Sequence, residues 1–309
     1  TPMVKKHDKL NFKKINQLRK KFKINIGYSN HFFDFKTLFA LTSYNLSAIM
    51  LYIKPSEKTK IKYPDDAHAV KINKLEELKK NYENILRTHW KMKKYNKAII
   101  LGGSRGIGKS ITKYLKNNCK KIISCSSKDV DTSNLDSVKK FVNVHKATDI
   151  IVLNTGGPPP IKMSNLNEQI WYKYFNQLFL SYFLILKKIK INKNGYVFYI
   201  SSTIIKEPNV NLVLSSSLRT AFSSFLKSYS IEMNKKKVSC INIAPGPTNT
   251  DRVKKLVKNL KEYKKTLPLG QLCNPDEIGK FVKFVVENKI KYLNGSVIYF
   301  DGNILKNFI

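Results

Sequence analysis

The chain has 309 residues, and at about 100–200 residues per domain this length predicts two or three domains. Its 42% hydrophobic content excludes a disordered chain, and its 11 Pro and 13 Gly exclude a collagen-like or low-complexity protein. The cysteines show no CxxC spacing and no pairing with histidine, so we expect no disulfide framework, no metal site and a reducing, cytoplasmic location. They are Cys119, Cys125, Cys240 and Cys273.

The formal net charge is +36, from 57 Lys and Arg against 21 Asp and Glu. Such an excess favours contact with phosphate groups, in nucleic acid or at an anionic membrane surface. The lysines are spread along the whole chain, with only short runs such as Lys235-Lys236-Lys237. A general compositional drift toward lysine gives the same pattern. Polyanion binding stays open, with nucleic acid as a partner that the sequence does not favour.

The first part of the chain has irregular patterning. It predicts a basic helix over residues 11–23, a short strand over 23–28 and a charged helix over 73–87. Residues 37–53 carry no charge over 17 positions, near the short limit of the ~20 that a membrane span needs. Polar residues interrupt this stretch, so we expect a buried helix followed by a strand and no membrane span. We expect no secretory signal, because the first residues are basic and lack a continuous apolar core.

From residue 97 onward the pattern becomes regular. Apolar runs without alternation occupy residues 98–101, 121–124, 149–153, 196–200 and 238–243. Such runs are typical of strands that are buried on both faces, and helical spacing lies between them. Strands that alternate with helices predict a doubly wound α/β domain with a parallel sheet over residues 96–309. Residues 1–95 then form a separate segment.

A glycine-rich loop follows the first of these strands and precedes a helix predicted over residues 109–116. It reads Leu101-Gly102-Gly103-Ser104-Arg105-Gly106-Ile107-Gly108. Gly102 permits a tight turn, Gly106 allows the backbone to approach a diphosphate, and Gly108 allows the helix to pack closely on the strand. The start of the helix offers unpaired N–H groups to the phosphates. This context predicts a dinucleotide-binding loop.

These residues resemble the short-chain dehydrogenase/reductase family, whose loop has the form TGxxxGIG, with Leu101 in place of the threonine. Further motifs follow in the family's order: Asn154-Thr155-Gly156-Gly157, Pro245-Gly246-Pro247-Thr248-Asn249-Thr250, Asn274-Pro275-Asp276-Glu277-Ile278-Gly279 and Asn294-Gly295 with Asp301-Gly302. The resemblance implies that Asp131 meets the adenine and that Thr248 and Thr250 hold the nicotinamide. The expected cofactor-binding residues are Gly102, Ser104, Arg105, Gly106, Ile107, Gly108, Ser127, Lys128, Asp131, Asn154, Gly156, Arg219, Pro245, Gly246, Thr248 and Thr250.

The end of the second strand bears on the choice of cofactor. An acid there would bond to the ribose 2′-hydroxyl of NAD and repel the 2′-phosphate of NADP. This chain has Cys125-Ser126-Ser127-Lys128 at that place, with Arg105 in the glycine loop. Two cations and two hydroxyls favour NADP, and NAD stays open. The connection to Asp131 is short, which suggests a trimmed adenine pocket.

The family's catalytic positions are altered in this chain. The family uses Asn, Ser and a Tyr-x-x-x-Lys pair, and the motif order places Ser202 on the serine, Ser215 on the tyrosine and Arg219 on the lysine. The asparagine position, in a helix expected over residues 171–182, falls on Leu178, with Gln177 beside it. A divergent branch of the family, with NTGGPP and Ser-x-x-x-Arg, looks similar to this chain.

This replacement changes the chemistry that the pair can perform. An aliphatic hydroxyl is a weaker acid than a phenol of pKa ~10. Arg219 always keeps its proton, yet it can stabilise an oxyanion or hold ribose hydroxyls. Four residues apart, Ser215 and Arg219 share one helix face. Two interpretations stay open: an active enzyme that uses Ser202, Ser215 and Arg219, or a catalytically inactive relative in which Ser215 and Arg219 are ordinary helix-surface residues.

The first 95 residues resemble the end of the sialic acid synthase barrel. The segment Lys23-Ile24-Asn25-Ile26-Gly27-Tyr28-Ser29-Asn30-His31 is similar to that family's GYSDH strand end, and Pro64-Asp65-Asp66-Ala67-His68 to its PDH segment. His31 matches a metal-binding histidine, but the second histidine position reads Tyr52 and the preceding acid reads Met50. We expect a partial (β/α)-barrel-like segment without metal or synthase activity.

Together these features predict an NADP-dependent reductase of a carbonyl or secondary alcohol, with nicotinamide dinucleotide and a small carbonyl compound as ligands. Its joining to a synthase remnant suggests a sugar substrate in surface polysaccharide biosynthesis. The resemblance also implies a homo-oligomer, either a dimer or a tetramer. The alternative is a non-catalytic fold that binds a polyanion or acts as an assembly scaffold.

Overall fold

The computed structural model describes residues 13–22, 27–29, 46, 48–50, 53–54, 70–77, 79–80 and 94–306. The chain forms two compact units, Thr1–Met92 and Lys93–Ile309. The expected division between residues 95 and 96, with its assignment of one function to each part, stays a prediction.

The described part of the first unit contains one helix and four short strands, and the strands pair in parallel. They are α1 (Lys13–Phe22), β1 (Gly27–Ser29), β2 (Ala48–Met50), β3 (Ile53–Lys54) and β4 (Val70–Lys71), followed by a 3-10 turn, Ile72–Lys74. β1 pairs with β2, and β3 pairs with β4. Parallel neighbours of this kind are typical of (β/α) barrels. His31, Tyr52 and the residue 64–68 segment lie outside the described residues, as does the helix expected within residues 37–53.

The second unit is built on one six-stranded parallel sheet, which confirms the predicted doubly wound α/β fold. Its strands are β5 (Tyr95–Ile100), β6 (Cys119–Ser124), β7 (Ala147–Leu153), β8 (Lys190–Ile200), β9 (Ser239–Pro245) and β10 (Val297–Phe300). Its helices are α2 (Gly106–Leu115), α3 (Leu135–Val144), α4 (Glu168–Phe175), α5 (Ser181–Lys188), α6 (Val213–Glu232), α7 (Asp251–Leu256), α8 (Leu260–Lys265) and α9 (Pro275–Glu287).

The strand order is β6-β5-β7-β8-β9-β10. A dinucleotide-binding sheet usually has the order 3-2-1-4-5-6, with a further strand beyond the second. Here the chain passes from β6 through a turn directly into α3, so β6 forms the edge of the sheet. The order reverses between β5 and β7, and ligands of such sheets bind in the crevice at the carboxyl ends of the strands beside this switch point.

Both faces of the sheet are buried, which explains the apolar runs without alternation. Neighbouring residues of β5 point to opposite faces: Ile99 packs on the side of α3, α5 and α6, and Ile100 packs on the side of α2 and α9. Phe222 of α6 and Ile278 of α9 are each fully buried in these two layers. Each strand is therefore held from both sides, and its carboxyl end has a fixed position.

Two helix boundaries differ from the sequence prediction. α2 begins at Gly106, and Leu101, expected in the strand, lies in a turn, because the glycine loop winds directly into the helix. The helix expected over residues 171–182 is interrupted by a π-helical turn, Asn176–Leu180, which joins α4 to α5. Within the part of the chain that the structure describes, no helix combines the length and apolar character that crossing a membrane requires.

Candidate active site

The glycine loop between β5 and α2 has a backbone that favours glycine at two positions. Gly102 has φ +59° and Gly106 has φ +52°, in the left-handed region. Helix α2 starts at Gly106, so the N–H groups of its first turn have no helical partner and its positive dipole end faces the crevice. This geometry can receive an anion.

Gly108 fixes how closely α2 approaches the loop. A Cβ on Gly108 would lie 2.1 Å from Gly102 O and 2.9 Å from Asn154 Nδ2, so no side chain fits there. Asn154 follows β7 and donates from Nδ2 to Leu101 O at 3.3 Å and Gly102 O at 3.4 Å. The loops after β5 and β7 are thus fastened to each other at the switch point.

Gln177 holds the loop that follows β7. Its Nε2 donates to Gly156 O at 2.7 Å, and Thr155 Oγ1 lies 3.2 Å from Thr132 Oγ1. Leu178, which the motif order placed on the family's asparagine position, is fully buried in an apolar cluster. Gln177 is thus the residue of this π-helical turn whose side chain reaches the loop, and the assignment of the family's asparagine position to Leu178 stays a prediction.

Ser215 and Arg219 lie on the buried face of α6, with exposed fractions of 5% and 6%. Arg219 Nε donates to Ser215 Oγ at 3.2 Å, and Nη1 donates to Ile200 O at 2.9 Å, at the carboxyl end of β8. The interpretation of both as ordinary helix-surface residues is wrong, because this face of α6 packs against the sheet. Ser202 is partly exposed two residues beyond Ile200.

Arg252, in the short helix α7, completes the cluster. Its Nη1 donates to Gly157 O and its Nη2 donates to Pro158 O, both at 2.7 Å. A Cβ on Gly157 would lie 3.2 Å from Arg252 Nη2, 3.4 Å from Arg219 Nη2 and 3.6 Å from Ser215 Oγ. Two guanidinium groups and one hydroxyl therefore pack closely on Gly157, and a side chain at this position would displace them.

The electrostatics of the cluster are strongly positive. Burial, together with the charges of Arg219 and Arg105, lowers the pKa of Arg252. Burial raises the pKa of Tyr199 to about 12, although the nearby Arg219 charge acts in the opposite direction, so this phenol keeps its proton at neutral pH. Arg219 and Arg252 form no ion pair with any carboxylate in the described part of the chain.

The segment after β9 faces the glycine loop. Thr250 Cγ2 would lie 3.1 Å from a Cβ on Gly106. Thr248 is buried and its hydroxyl donates to Gly246 O at 2.9 Å, so it braces its own turn. Gly246 N donates to Phe300 O at 2.9 Å, which attaches this turn to the end of β10.

Most of the remaining residues expected to bind the cofactor are exposed, and they lie in the glycine loop, at the start of α2 and in two turns after β6. Exposed are Ser104, Arg105, Ser127, Lys128 and Asp131, while Ile107 is partly buried. Asp131 Oδ1 accepts from Ser133 N at 2.9 Å and Ser133 Oγ at 2.8 Å. Asp129 Oδ2 accepts from Ser126 N and Ser126 Oγ, both at 2.7 Å. Both carboxylates are engaged within their own turns.

A cavity of about 270 Å³ lies near this crevice, at the ends of β9 and β10. Its lining includes Gly246, Pro247, Cys273 and Tyr299. Neither Ser215 nor Arg219 contributes to it. We therefore place the candidate site in the crevice beside Gly157 and not in this cavity.

Sequence reasoning did not assign Arg252. The signal that could have found it is the use of arginine, because the chain has five arginines among its 57 basic residues. Three of these five, Arg105, Arg219 and Arg252, interact electrostatically in the crevice. Arginine offers a planar, multidentate group that lysine lacks, so its few positions in this lysine-rich chain are candidates for such contacts.

Family comparisons match both parts of the chain. The family model described as Enoyl-(Acyl carrier protein) reductase matches residues 109–303, more than half of the chain. The family model described as NeuB family matches residues 4–94. Both expected resemblances are confirmed by these matches.

Similar proteins cover the second part of the chain almost completely. The 3-oxoacyl-[acyl-carrier-protein] reductase FabG of Chlamydia trachomatis is 26% identical over 238 residues, covering 67% of this chain and 96% of the relative. The FabG of Buchnera aphidicola subsp. Baizongia pistaciae is 27% identical over 236 residues, with the coverages 67% and 96%.

Solved structures share the fold. A short chain dehydrogenase from Burkholderia cenocepacia J2315 in complex with NADP has a TM-score of 0.59 at 17% identity, covering 67% of this chain and 96% of that chain. The angucycline C-6 ketoreductase LanV with bound NADP has a TM-score of 0.63 at 16% identity, covering 69% and 96%.

Proposed function

The chain belongs to the short-chain dehydrogenase/reductase family, and on this basis we propose that it is an NADP-dependent oxidoreductase that interconverts a carbonyl and a secondary alcohol. The observation that carries the proposal is that two features lie at the carboxyl ends of the parallel strands. The glycine loop opens α2 there, and Arg219 reaches the carboxyl end of β8 from α6.

The residues of the crevice fit a dinucleotide. The first turn of α2 offers N–H groups to a diphosphate, and the close packing at Gly108 holds that turn in place. The loop after β7 leaves open space at Gly156. Apart from the two chain neighbours of this glycine, no heavy atom lies within 4 Å of the place where its Cβ would be. When bound, the dinucleotide supplies or accepts the hydride.

NADP is favoured over NAD by the charges at the open end of the crevice. Arg105 and Lys128 are both exposed, and Ser127 lies beside them. Asp129 and Asp131 each use one carboxylate oxygen within their own turn, and neither stands directly at the end of β6, where the acid that recognises the ribose of NAD usually lies. Similar structures were solved with NADP, which supports the same choice.

Ser215 and Arg219 would act on the carbonyl oxygen. Ser215 Oγ accepts a hydrogen bond from Arg219 Nε, which leaves the hydroxyl proton free to donate to a substrate oxygen. Arg219 keeps its positive charge and stabilises the negative charge that develops on that oxygen. The proton passes from Ser215 Oγ to the oxygen, and solvent restores it. Ser202 offers a second hydroxyl beside the same strand end.

A sugar is the proposed substrate, in the biosynthesis of a surface polysaccharide. The support is the match of residues 4–94 to the NeuB family within the same chain. This is an argument by association and not from site geometry. A cytoplasmic location and a homo-oligomeric state also stay predictions.

The test measures coenzyme binding first and turnover second. We expect NADPH to bind more tightly than NADH in a nicotinamide fluorescence titration of the whole chain. We expect Arg219→Ala and Ser202→Ala to lower the rate of reduction over a panel of sugar carbonyls. Lys227→Ala, an exposed change on the same helix α6, serves as the control. Equal rates in all variants would show that the proposed site is wrong.

The net charge of +36 supports a second candidate, a non-catalytic protein that binds a polyanion or scaffolds an assembly. Salt-dependent retention on RNA or heparin, together with no binding of NADPH or NADH, would establish polyanion binding and exclude the reductase. Retention together with tight NADPH binding would instead reflect the general excess of lysine.

A further inference from the structure

Two tyrosine hydroxyls in the core of the second unit bond to nothing. Tyr182 of α5 and Tyr199 of β8 have exposed fractions of 0%, and neither hydroxyl oxygen has a hydrogen-bond partner in the described part of the chain. A buried hydroxyl without a partner costs free energy, and such groups are rare in folded proteins. Phenylalanine would fill the same space in this apolar layer without that cost. The two hydroxyls therefore indicate a role other than packing.

Both phenol rings pack beneath α6, the helix that carries Arg219. The ring centroids of Tyr199 and Tyr182 lie 4.9 Å and 5.2 Å from that of Phe222, and 5.8 Å from each other. Phe222 follows Arg219 by three residues, so these two side chains share the buried face of α6. Tyr199 also directly precedes Ile200, whose carbonyl oxygen accepts from Arg219 at 2.9 Å. The two phenols and the guanidinium thus belong to one buried layer.

Arg219 has the opposite deficit. It is 6% exposed, and no carboxylate among the described residues pairs with it. It donates from Nε to Ser215 Oγ and from Nη1 to Ile200 O, and a guanidinium carries more N–H donors than these two bonds use. A buried charge is costly unless the dipoles around it stabilise it. Arg219 therefore needs further oxygen atoms nearby.

The positive charge of Arg219 acts on both hydroxyls. Burial raises the pKa of Tyr199 to about 12 and also raises the pKa of Tyr182, while the charge of Arg219 acts to lower both values. Both phenols are therefore neutral at physiological pH, and a neutral hydroxyl can turn its oxygen toward a cation. Water does not screen this interaction in a buried layer. The hydroxyls lack a donor and the guanidinium lacks acceptors, so each group supplies what the other lacks.

We propose that Tyr182 and Tyr199 are positioning residues for Arg219, a role whose catalytic consequence rests on the proposed reductase function. Their phenol oxygens face the guanidinium, stabilise its charge inside the protein and hold it at the carboxyl end of β8. They act through Arg219 and do not touch the carbonyl compound. Because the guanidinium is held by neutral groups and not by a carboxylate, its full charge remains available to the oxygen that becomes negative during hydride transfer.

The first arm of the test is a double-mutant cycle on stability, which requires no coenzyme and no substrate. Tyr199→Phe removes only the hydroxyl, and Arg219→Met removes the charge but keeps a long side chain. We expect Tyr199→Phe to raise the unfolding equilibrium constant of the wild type about fivefold in urea titrations. In the Arg219→Met chain the same change should leave that constant within about twofold or lower it, because the hydroxyl has already lost its charged neighbour. Tyr182→Phe should behave in the same way.

Tyr196→Phe is the matched control. Tyr196 is fully buried on the same strand, but its ring packs in the opposite layer, and its hydroxyl donates to Val285 O at 3.5 Å. Its effect on stability should be the same with and without Arg219. Equal effects of Tyr199→Phe in the two chains would overturn the proposal, because the hydroxyl would then be indifferent to the guanidinium.

The second arm observes the guanidinium directly, by NMR of the whole chain with nitrogen-15 in its arginines. The chain has five arginines, so the Nε–H signals are few, and the signal that Arg219→Lys removes belongs to Arg219. We expect this proton to exchange with water at least about tenfold faster in Tyr199→Phe, and at the wild-type rate in Tyr196→Phe. An unchanged signal and an unchanged rate in Tyr199→Phe would overturn the proposal, even if Arg219→Met does not fold.

The third arm measures turnover with NADPH and a carbonyl compound that the wild type reduces. Tyr199→Phe should lower kcat about fivefold and leave KM and the Kd for NADPH within about twofold, because Arg219 acts on charge that develops only in the transition state. An unchanged kcat in an active chain would overturn the positioning role. If the wild type neither binds NADPH nor turns over, the reductase function fails, while coupling in the first two arms would still establish that both tyrosines hold Arg219.

Discussion

The packing of Gly108 against the glycine loop leads to a quantitative prediction for Gly108→Ala. The new methyl group would lie 2.1 Å from Gly102 O and 2.7 Å from Gly102 C, and both are backbone atoms that cannot rotate away. Reaching an ordinary contact requires α2 to move by about 1 Å, and overpacking of this kind costs ~1–3 kcal/mol. Alanine regains about 1 kcal/mol from its better helix propensity. We expect a net loss of about 1 kcal/mol, and at most about 2 kcal/mol, in the free energy of unfolding.

The same displacement should weaken NADPH binding by at least about tenfold, because the N–H groups of the first turn would leave their place. Urea unfolding and fluorescence titration measure the two effects. Gly156→Ala is the control for stability alone, since a Cβ there would meet no atom within 4 Å, and its unfolding midpoint should change little. Unchanged stability and unchanged NADPH affinity in Gly108→Ala would refute the view that α2 and the loop are fitted to each other.

Three further predictions concern other positions. Gln177→Leu leaves the Gly156 carbonyl without its donor, so NADPH affinity should fall about fivefold, and an unchanged affinity would mean that this loop needs no support. Lys128→Glu should reduce the preference for NADPH over NADH by about tenfold or more, measured as the ratio of their dissociation constants; an unchanged ratio would place the 2′-phosphate elsewhere. Burial lowers the pKa of Lys291 to about 8, so the folded chain loses this proton before the unfolded chain does. The wild type should therefore gain stability relative to Lys291→Met as pH rises from about 8 to 10.5 in urea titrations, and a constant difference would contradict the shift.

The sheet could be predicted from sequence because its strands are buried on both faces. Residues such as Ile99 and Ile100, which point into different layers, must both be apolar, and this gives a run that periodicity can detect. The beginning of β8 could not be predicted in this way. It starts at Lys190, where Asn192 Nδ2 donates to Asp149 Oδ1 at 2.7 Å, and such polar pairing leaves no apolar run.

The candidate site could be predicted only where its spacing is local. Ser215 and Arg219 are one helical turn apart, and this spacing alone places them together. Arg252 could not be placed, because it contacts Gly157, a residue 95 positions away in the chain. Gln177 and Leu178 were ambiguous because the π-helical turn rotates the helix face, and helical periodicity assumes a regular α-helix.

The edge position of β6 has a consequence for how copies of this chain behave at high concentration. An edge strand presents unpaired backbone groups that can join a second sheet into a growing fibre. The first half of β6 carries Lys120 and Lys121, both exposed. Two molecules that approached edge to edge would bring these ammonium groups into register, and their repulsion opposes ordered aggregation. Replacing both lysines by threonine would remove this protection and leave a strand that is prone to self-association.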